Sequence, residues 1–211
     1  MGKMGSDNTF LPLSELERDA LSEIANVAMG RAATSLRQLV HNEVILSVPS
    51  IEILLDSVAV KVITKSGQPH LIAVHEDFRG LFSGRALLIF PETNSLELVR
   101  AIVGRDMPLD EVAELEIEAI QETGNIVLNC WISTLANLLK HNLIMSVPQL
   151  IRGDGTAIFQ STDAKYVLFL HIEFAIRETT ISGYLALLMD LPSMDALRAL
   201  ISDFVSSFSK K

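Results

Sequence analysis

One pattern occurs twice in this chain. The segment Asp19-Ala-Leu-Ser-Glu23-Ile-Ala-Asn26-Val-Ala-Met-Gly-Arg-Ala-Ala-Thr-Ser-Leu36 is answered by Glu118-Ala-Ile-Gln-Glu122-Thr-Gly-Asn125-Ile-Val-Leu-Asn-Cys-Trp-Ile-Ser-Thr-Leu135, with Glu23, Asn26 and Leu36 each displaced by 99 positions. The same displacement returns downstream: Ser47-Val48-Pro49 against Ser146-Val147-Pro148, Ser83-Gly84 against Ser182-Gly183, and Leu98 against Leu197. Two helices that merely look alike would account for the first block and not for the others. An internal repeat restricts the fold before anything else does, because both copies must adopt the same local structure. The sequence therefore predicts a single domain, 1–211, made of two repeats at about 14–105 and 109–208.

Each copy reads in the same order. A long helix comes first, at about 15–41 and about 110–141. Ser14-Glu-Leu-Glu17 has the form of a capping box, and Asp110 is a candidate N-cap for the second helix. Strands are expected at Val44–Val48 and Leu143–Val147, then at Ser57–Thr64 and His70–Asp77 in the first copy and at Tyr166–Ile176 in the second. Further strands at Gly84–Phe90 and Gly183–Met189 lead into short helices at about 93–103 and 192–207. This order gives an α+β fold with pseudo-two-fold internal duplication: a mostly antiparallel sheet and two long surface helices carrying the active sites. The two copies are expected to share one sheet and one core, since neither looks self-sufficient.

Hydrophobic residues make up 49% of the 211 residues and charged residues 20%, which is the balance of a folded globular protein. The net charge of -9 repels phosphodiester backbones, so no nucleic acid is expected as partner. No apolar run reaches the roughly 18–20 residues of a membrane span. The lone Cys130 has no intramolecular disulfide partner, and the five histidines are scattered, so no metal ligand set is expected. These features together predict a cytoplasmic protein without a membrane span.

At about 100° per residue, Asp19, Glu23, Asn26, Gly30 and Arg37 fall on one stripe of the first helix, opposite Leu21, Ile24, Ala28, Ala32 and Leu39. Glu118, Glu122, Asn125 and Asn129 form the matching stripe of the second, opposite Ile120, Val127, Trp131 and Leu138. Charged residues on such a stripe usually do no more than solvate it. Asn is a poor helix former, because its side chain competes for backbone hydrogen bonds. Two of them, each three residues after a Glu at equivalent places, point to a retained task. Gly30 costs about 1 kcal/mol relative to Ala in mid-helix and would let another protein approach closely; internal packing is the competing reason for it. Pro49 and Pro148 have a structural role as proline at a strand's end or edge, having no N–H to give.

An acidic residue, three residues, Glu, two residues, Asn, and then about two dozen residues to Pro resembles the signature of the CheC, CheX and FliY chemotaxis phosphatases. Asp19, Glu23, Asn26 and Pro49 meet it once; Glu118, Glu122, Asn125 and Pro148 meet it again. The resemblance extends to the Ser-Gly strand followed by Pro91-Glu92 and a Leu-rich helix, and so covers nearly the whole chain. Two motifs in a chain of this length resemble CheC; CheX carries one, and FliY adds a flagellar-switch domain. Glu118 departs from the usual Asp or Ser, and Ala25 stands where Gly is frequent, while Gly124 keeps it.

The resemblance implies a phosphatase, with the phospho-aspartate of a CheY-like response regulator as substrate. It implies Asn26 and Asn125 as the carboxamides that orient the attacking water, and Glu23 and Glu122 as docking groups for a lysine of the regulator, with Asp19 and Glu118 shaping the surface around them. It implies no cofactor on this chain; Mg²⁺ is expected on the response-regulator substrate. The deamidase CheD is a further partner of this family, and its docking surface would involve the region around 91–105. Two rivals remain open: a binding module for the regulator or for CheD that hydrolyses nothing, and a structural part of the flagellar switch. No Gly-rich phosphate loop, nucleophile elbow or paired-His motif supports a conventional hydrolase.

Overall fold

The computed structural model describes residues 12–40, 43–64, 70–103, 108–159, 165–176 and 179–208. In chain order the elements are α1 (Glu15–Val40), β1 (Val44–Leu55), α2 (Asp56–Thr64), β2 (Leu71–Arg79), β3 (Gly84–Pro91), α3 (Glu92–Val103), α4 (Leu109–Leu138), β4 (Ile144–Met145), β5 (Gln149–Gly153), α5 (Gly155–Phe159), β6 (Tyr166–Ile176), β7 (Thr179–Met189) and α6 (Leu191–Phe208).

The strands form one sheet in the order β1-β6-β7-β3-β2-β4, with β5 also on β2, and all pairs are antiparallel. Both faces are covered. Helices α1, α3, α4 and α6 bury Leu21, Leu98, Trp131 and Met194 against Ile72, Val74, Leu168 and Leu170 on one face. The short α2 and α5 bury Ala59, Ile63, Ile158 and Phe159 against Leu71, Ala73, Val167 and Phe169 on the other. This double cover is why the runs Val167–Leu170 of β6 and Leu185–Met189 of β7 are apolar without alternation.

The centre of the sheet is the β3–β7 ladder. Its pairs Ala86↔Leu187 and Leu88↔Leu185 map onto one another under an exchange of 99 positions. Gly84 and Gly183, 99 apart, flank this ladder, and each is required by close approach. A Cβ at Gly84 would sit 2.2 Å from the Leu188 carbonyl oxygen, and one at Gly183 2.7 Å from the Phe90 ring. Outside the centre the copies are interleaved: β1 pairs with β6 of the other copy, and β5 with β2. The offset of 99 is not kept everywhere. Even-numbered residues face the long helices in both β2 (Ile72, Val74, Phe78) and β6 (Leu168, Leu170, Ile172). An odd displacement would turn one of these strands over, so the offset slips here and is recovered by β3 and β7.

Several expectations change. The segment 57–64 is not a strand: α2 covers it, with Asp56 accepting from the Ser57 N–H and Ala59 and Ile63, four apart, facing the sheet. Its Val and Ile content suits a strand, but β1 already fills the sheet edge and the open face needs a cover. Helix α4 begins at Leu109 with Pro108 as N-cap, ahead of Asp110. The first capping box forms: Ser14 N–H donates to Glu17 Oε2 (2.8 Å) and Glu17 N–H to Ser14 Oγ (3.2 Å). Pro49 does not end β1; it lies at a register shift in this edge strand, which runs on to Leu55. Pro148 falls in the break between β4 and β5.

Candidate functional site

Helices α1 and α4 lie side by side and run in opposite directions. Arg31 of α1 donates to Thr134 of α4 (3.2 Å), and one turn further along α1, Ser35 meets Cys130. These two contacts exchange under the same displacement of 99. Asn26 and Asn125 each stand about two turns before this meeting point on their own helix, so at ~1.5 Å per residue they lie roughly 20 Å apart along the shared axis. The structure thus keeps the two Glu-x-x-Asn pairs separate, one towards each end of the helix pair. Burial pushes the Cys130 thiol up, against the lowering effect of Arg31.

On α1 the stripe Asp19, Glu23, Asn26, Gly30 and Arg37 is exposed, and Leu21, Ile24, Ala28 and Ala32 are buried. A Cβ at Gly30 would meet nothing within 4 Å, so internal packing is not the reason for this glycine. Leu39, expected in the core, is 41% exposed. It borders an apolar notch against α4 and α3, lined also by Ile102, Leu115, Ala119, Glu118 and Glu122.

On α4 the pattern differs. Glu118 and Glu122 are exposed, whereas Asn125 and Asn129, expected to be exposed with them, are half-buried, as is Leu138. Glu118, Gln121, Glu122 and Pro148 line one cleft, so two residues of the second motif's helix and its proline come together. Gly124 is a packing glycine: a Cβ there would lie 2.4 Å from Cβ of Val74 on β2. The equivalent Ala25 of α1 is also buried. Below this contact sits Glu76 of β2, 0% exposed. Asn129 Nδ2 donates to Asn125 Oδ1 (2.6 Å) and the Asn125 backbone carbonyl (2.9 Å), and lies 3.4 Å from each Glu76 carboxylate oxygen. Burial raises Glu76 to about 7, partly countered by the Asn129 hydrogen bond. On the opposite face of β2, Asp77 pairs with Arg85 (2.7 Å), which holds its carboxyl below the usual range.

Glu76 escaped the sequence reading, although a signal was present. Ile72, Val74, Glu76 and Phe78 alternate onto one face of β2, and a carboxylate in that row has no solvent to face. Among the described residues no group of three or more His, Cys, Asp or Glu could hold a metal ion. No helix among them is long and apolar enough to cross a membrane.

Comparison with known proteins agrees with the resemblance read from the motifs. A model described as the CheC-like family matches residues 16–53, the stretch from the first turn of α1 nearly to the end of β1. The chain is 26% identical over 146 residues to the flagellar motor switch phosphatase FliY of Bacillus subtilis, covering 68% of this chain and 38% of that protein. It is 25% identical over 143 residues to the CheY-P phosphatase CheC of the same organism, covering 66% of this chain and 68% of CheC. Among solved structures, FliY of Thermotoga maritima superposes with a TM-score of 0.68 at 19% identity, over 93% of this chain and 99% of that one. The α+β fold expected from the sequence is the fold of that structure.

Proposed function

We propose that this chain, a CheC-type protein, hydrolyses the phospho-aspartate of a CheY-like response regulator, with Asn26 and Asn125 orienting the attacking water. The observation that carries the reading is the placement of Glu23 and Asn26: one turn apart, both exposed, on a helix face opened further by Gly30. Among the described residues this face holds no nucleophile activated by a neighbouring base. It offers a carboxylate and a carboxamide that a partner can reach.

That set suits an acyl phosphate. The bond to be broken already has a good leaving group, so what remains is to hold one water in line with the phosphorus–oxygen bond. A carboxamide has an oxygen that accepts a hydrogen from such a water and an NH₂ that donates to phosphoryl oxygens. Glu23 and Glu122 would be poor groups to press against a phosphoryl centre, since like charges repel. Paired with a lysine of the regulator they dock it and fix its approach. Asp19 and Glu118, one turn earlier, extend the acidic surface, and the notch bordered by Leu39 and Leu115 offers apolar contact beside Glu118 and Glu122. Mg²⁺ belongs to the regulator in this scheme. The name of one relative, a CheY-P phosphatase, supports the same substrate, and that of the other, a flagellar motor switch phosphatase, supports a phosphatase role.

The deciding measurement is phosphate release from a phosphorylated CheY-type regulator by the intact chain and by Asn26→Ala combined with Asn125→Ala. A fall of about 10²-fold or more in the double variant, with binding retained, is expected from removal of a positioning group. Unchanged release would leave a module that binds the regulator without hydrolysing it. A switch role, suggested by the FliY relative, would show as co-purification with flagellar basal bodies independent of both Asn residues. CheD, if it binds, is expected on α3 near the exposed Leu96.

A further inference from the structure

The two Asn side chains are held differently. On α1, the residue one turn beyond Asn26 is Gly30, with open space above it. On α4, the residue at the matching place is Asn129, whose NH₂ takes the Asn125 side-chain oxygen at 2.6 Å and reaches down to the fully buried Glu76. We infer that Asn129, anchored by Glu76, is a positioning residue that keeps the carboxamide oxygen of Asn125 turned along the helix, so that turnover is carried by the Asn26 site while the Asn125 site is held in reserve. The inference rests on the phosphatase reading above and adds to it a built-in inequality of the two sites.

The chemistry follows from donor and acceptor counts. The attacking water must aim a lone pair at phosphorus and give its hydrogens to acceptors. Asn26 can rotate to present its oxygen. The short hydrogen bond turns the Asn125 oxygen along the helix towards Asn129, so its second lone pair is not free to follow a docked partner, and its NH₂ cannot accept from a water. Asn129 in turn cannot swing away without leaving the Glu76 carboxyl unpaired in the interior, which is costly. Among the described residues nothing charged faces Glu76. Its strand partner on β3 is Ala86, its neighbours on the same face of β2 are Val74 and Phe78, and α4 presents the neutral Asn129. In the carboxylate form Glu76 can accept one N–H of Asn129 while the other goes to Asn125. In the acid form one carboxyl oxygen carries its own proton, and the hold weakens; burial places that change near neutrality.

The test uses the full chain and CheY of Bacillus subtilis charged with acetyl phosphate in the presence of Mg²⁺. Asn26→Ala should lower phosphate release at least tenfold, and Asn125→Ala should lower it several-fold less than Asn26→Ala does. Asn26→Ala with Asn129→Gly, which gives α4 the arrangement of α1, should recover at least threefold over Asn26→Ala alone; adding Asn125→Ala should abolish that recovery. Asn129→Ala in the same background serves as a check should Gly weaken the helix. Release by Asn26→Ala, as a ratio to the intact chain, should rise as pH falls from 8 to 6, and Glu76→Gln should flatten that ratio. The Asn125 side-chain ¹⁵N–¹H₂ resonances should shift with Asn129→Ala. Equal losses from Asn26→Ala and Asn125→Ala, no recovery with either substitution at 129, or a flat ratio with Glu76 intact would overturn the inference and leave the phosphatase reading standing. Full activity in Asn26→Ala with Asn125→Ala would instead remove that reading itself.

Discussion

A carboxyl group buried beneath a helix contributes a pH dependence of its own at the residue scale. Glu76 has an ordinary value of 4.5 when unfolded and about 7 in the fold, raised by burial. Below pH 4.5 both states carry the proton and burial adds no charge penalty. Between 4.5 and 7 the unfolded chain releases its proton while the folded chain keeps it, so stability falls across that window and levels off above it. The loss amounts to at most about 3 kcal/mol for a shift of this size. Glu76→Gln, which keeps an oxygen for Asn129 to bond, is expected to remove this falling contribution and to be the more stable protein at pH 7.5. Urea unfolding of both proteins at pH 5 and 7.5 measures this; parallel slopes would show that Glu76 is not the group titrating. The residue scale is also where the sequence was most and least legible. The exposed positions of α1 followed from periodicity alone. The burial of Asn125 and Asn129 did not, because it depends on which strand passes beneath α4.

Two glycines separate the helices at the scale of elements. Gly124 allows α4 to rest on Val74, and a methyl group there has no room, so Gly124→Ala should destabilise the fold by about 1–3 kcal/mol through overpacking. Gly30 faces open space, and Gly30→Ala should stabilise α1 by up to about 1 kcal/mol. Thermal melts of the two variants should therefore move in opposite directions. If Gly30→Ala also slows phosphate release while folding better, the glycine marks where the partner comes close. Helix positions were legible from the 3.6-residue period and the Ser14–Glu17 box. α2 was not, since a short Val-rich segment satisfies both periods and only the uncovered face of the sheet decides between them. Leu39 misled for a related reason: an apolar residue near a helix end faces whatever the next helix leaves open, here a notch and not the core.

For the whole molecule, the sheet interleaves the two segments that share the displacement of 99. β1 of the first segment lies on β6 of the second, and β4 and β5 of the second lie on β2 of the first. Segments 14–105 and 109–208 made separately each lack a strand partner and should not give a monomer with a cooperative melt, whereas the intact chain should unfold in one transition by calorimetry. A monomeric half that melts cooperatively would mean the copies are independent domains after all. The repeat announced a shared architecture, but the pairing across copies was not visible in it, because a displacement of 99 says which residues correspond and not which ones touch.

The same interleaving has a consequence in time. β1 ends at Leu55, yet its partner strand ends at Ile176. On a ribosome adding about 5–20 residues per second, roughly 6–24 s pass between the appearance of one strand and the completion of the other. Throughout that interval the nascent first copy carries an unpaired hydrogen-bonding edge, and the quickest strand to present itself could belong to a neighbouring nascent chain. Pro49, set in that edge strand without an N–H to offer, makes the waiting edge a poorer template for the wrong partner.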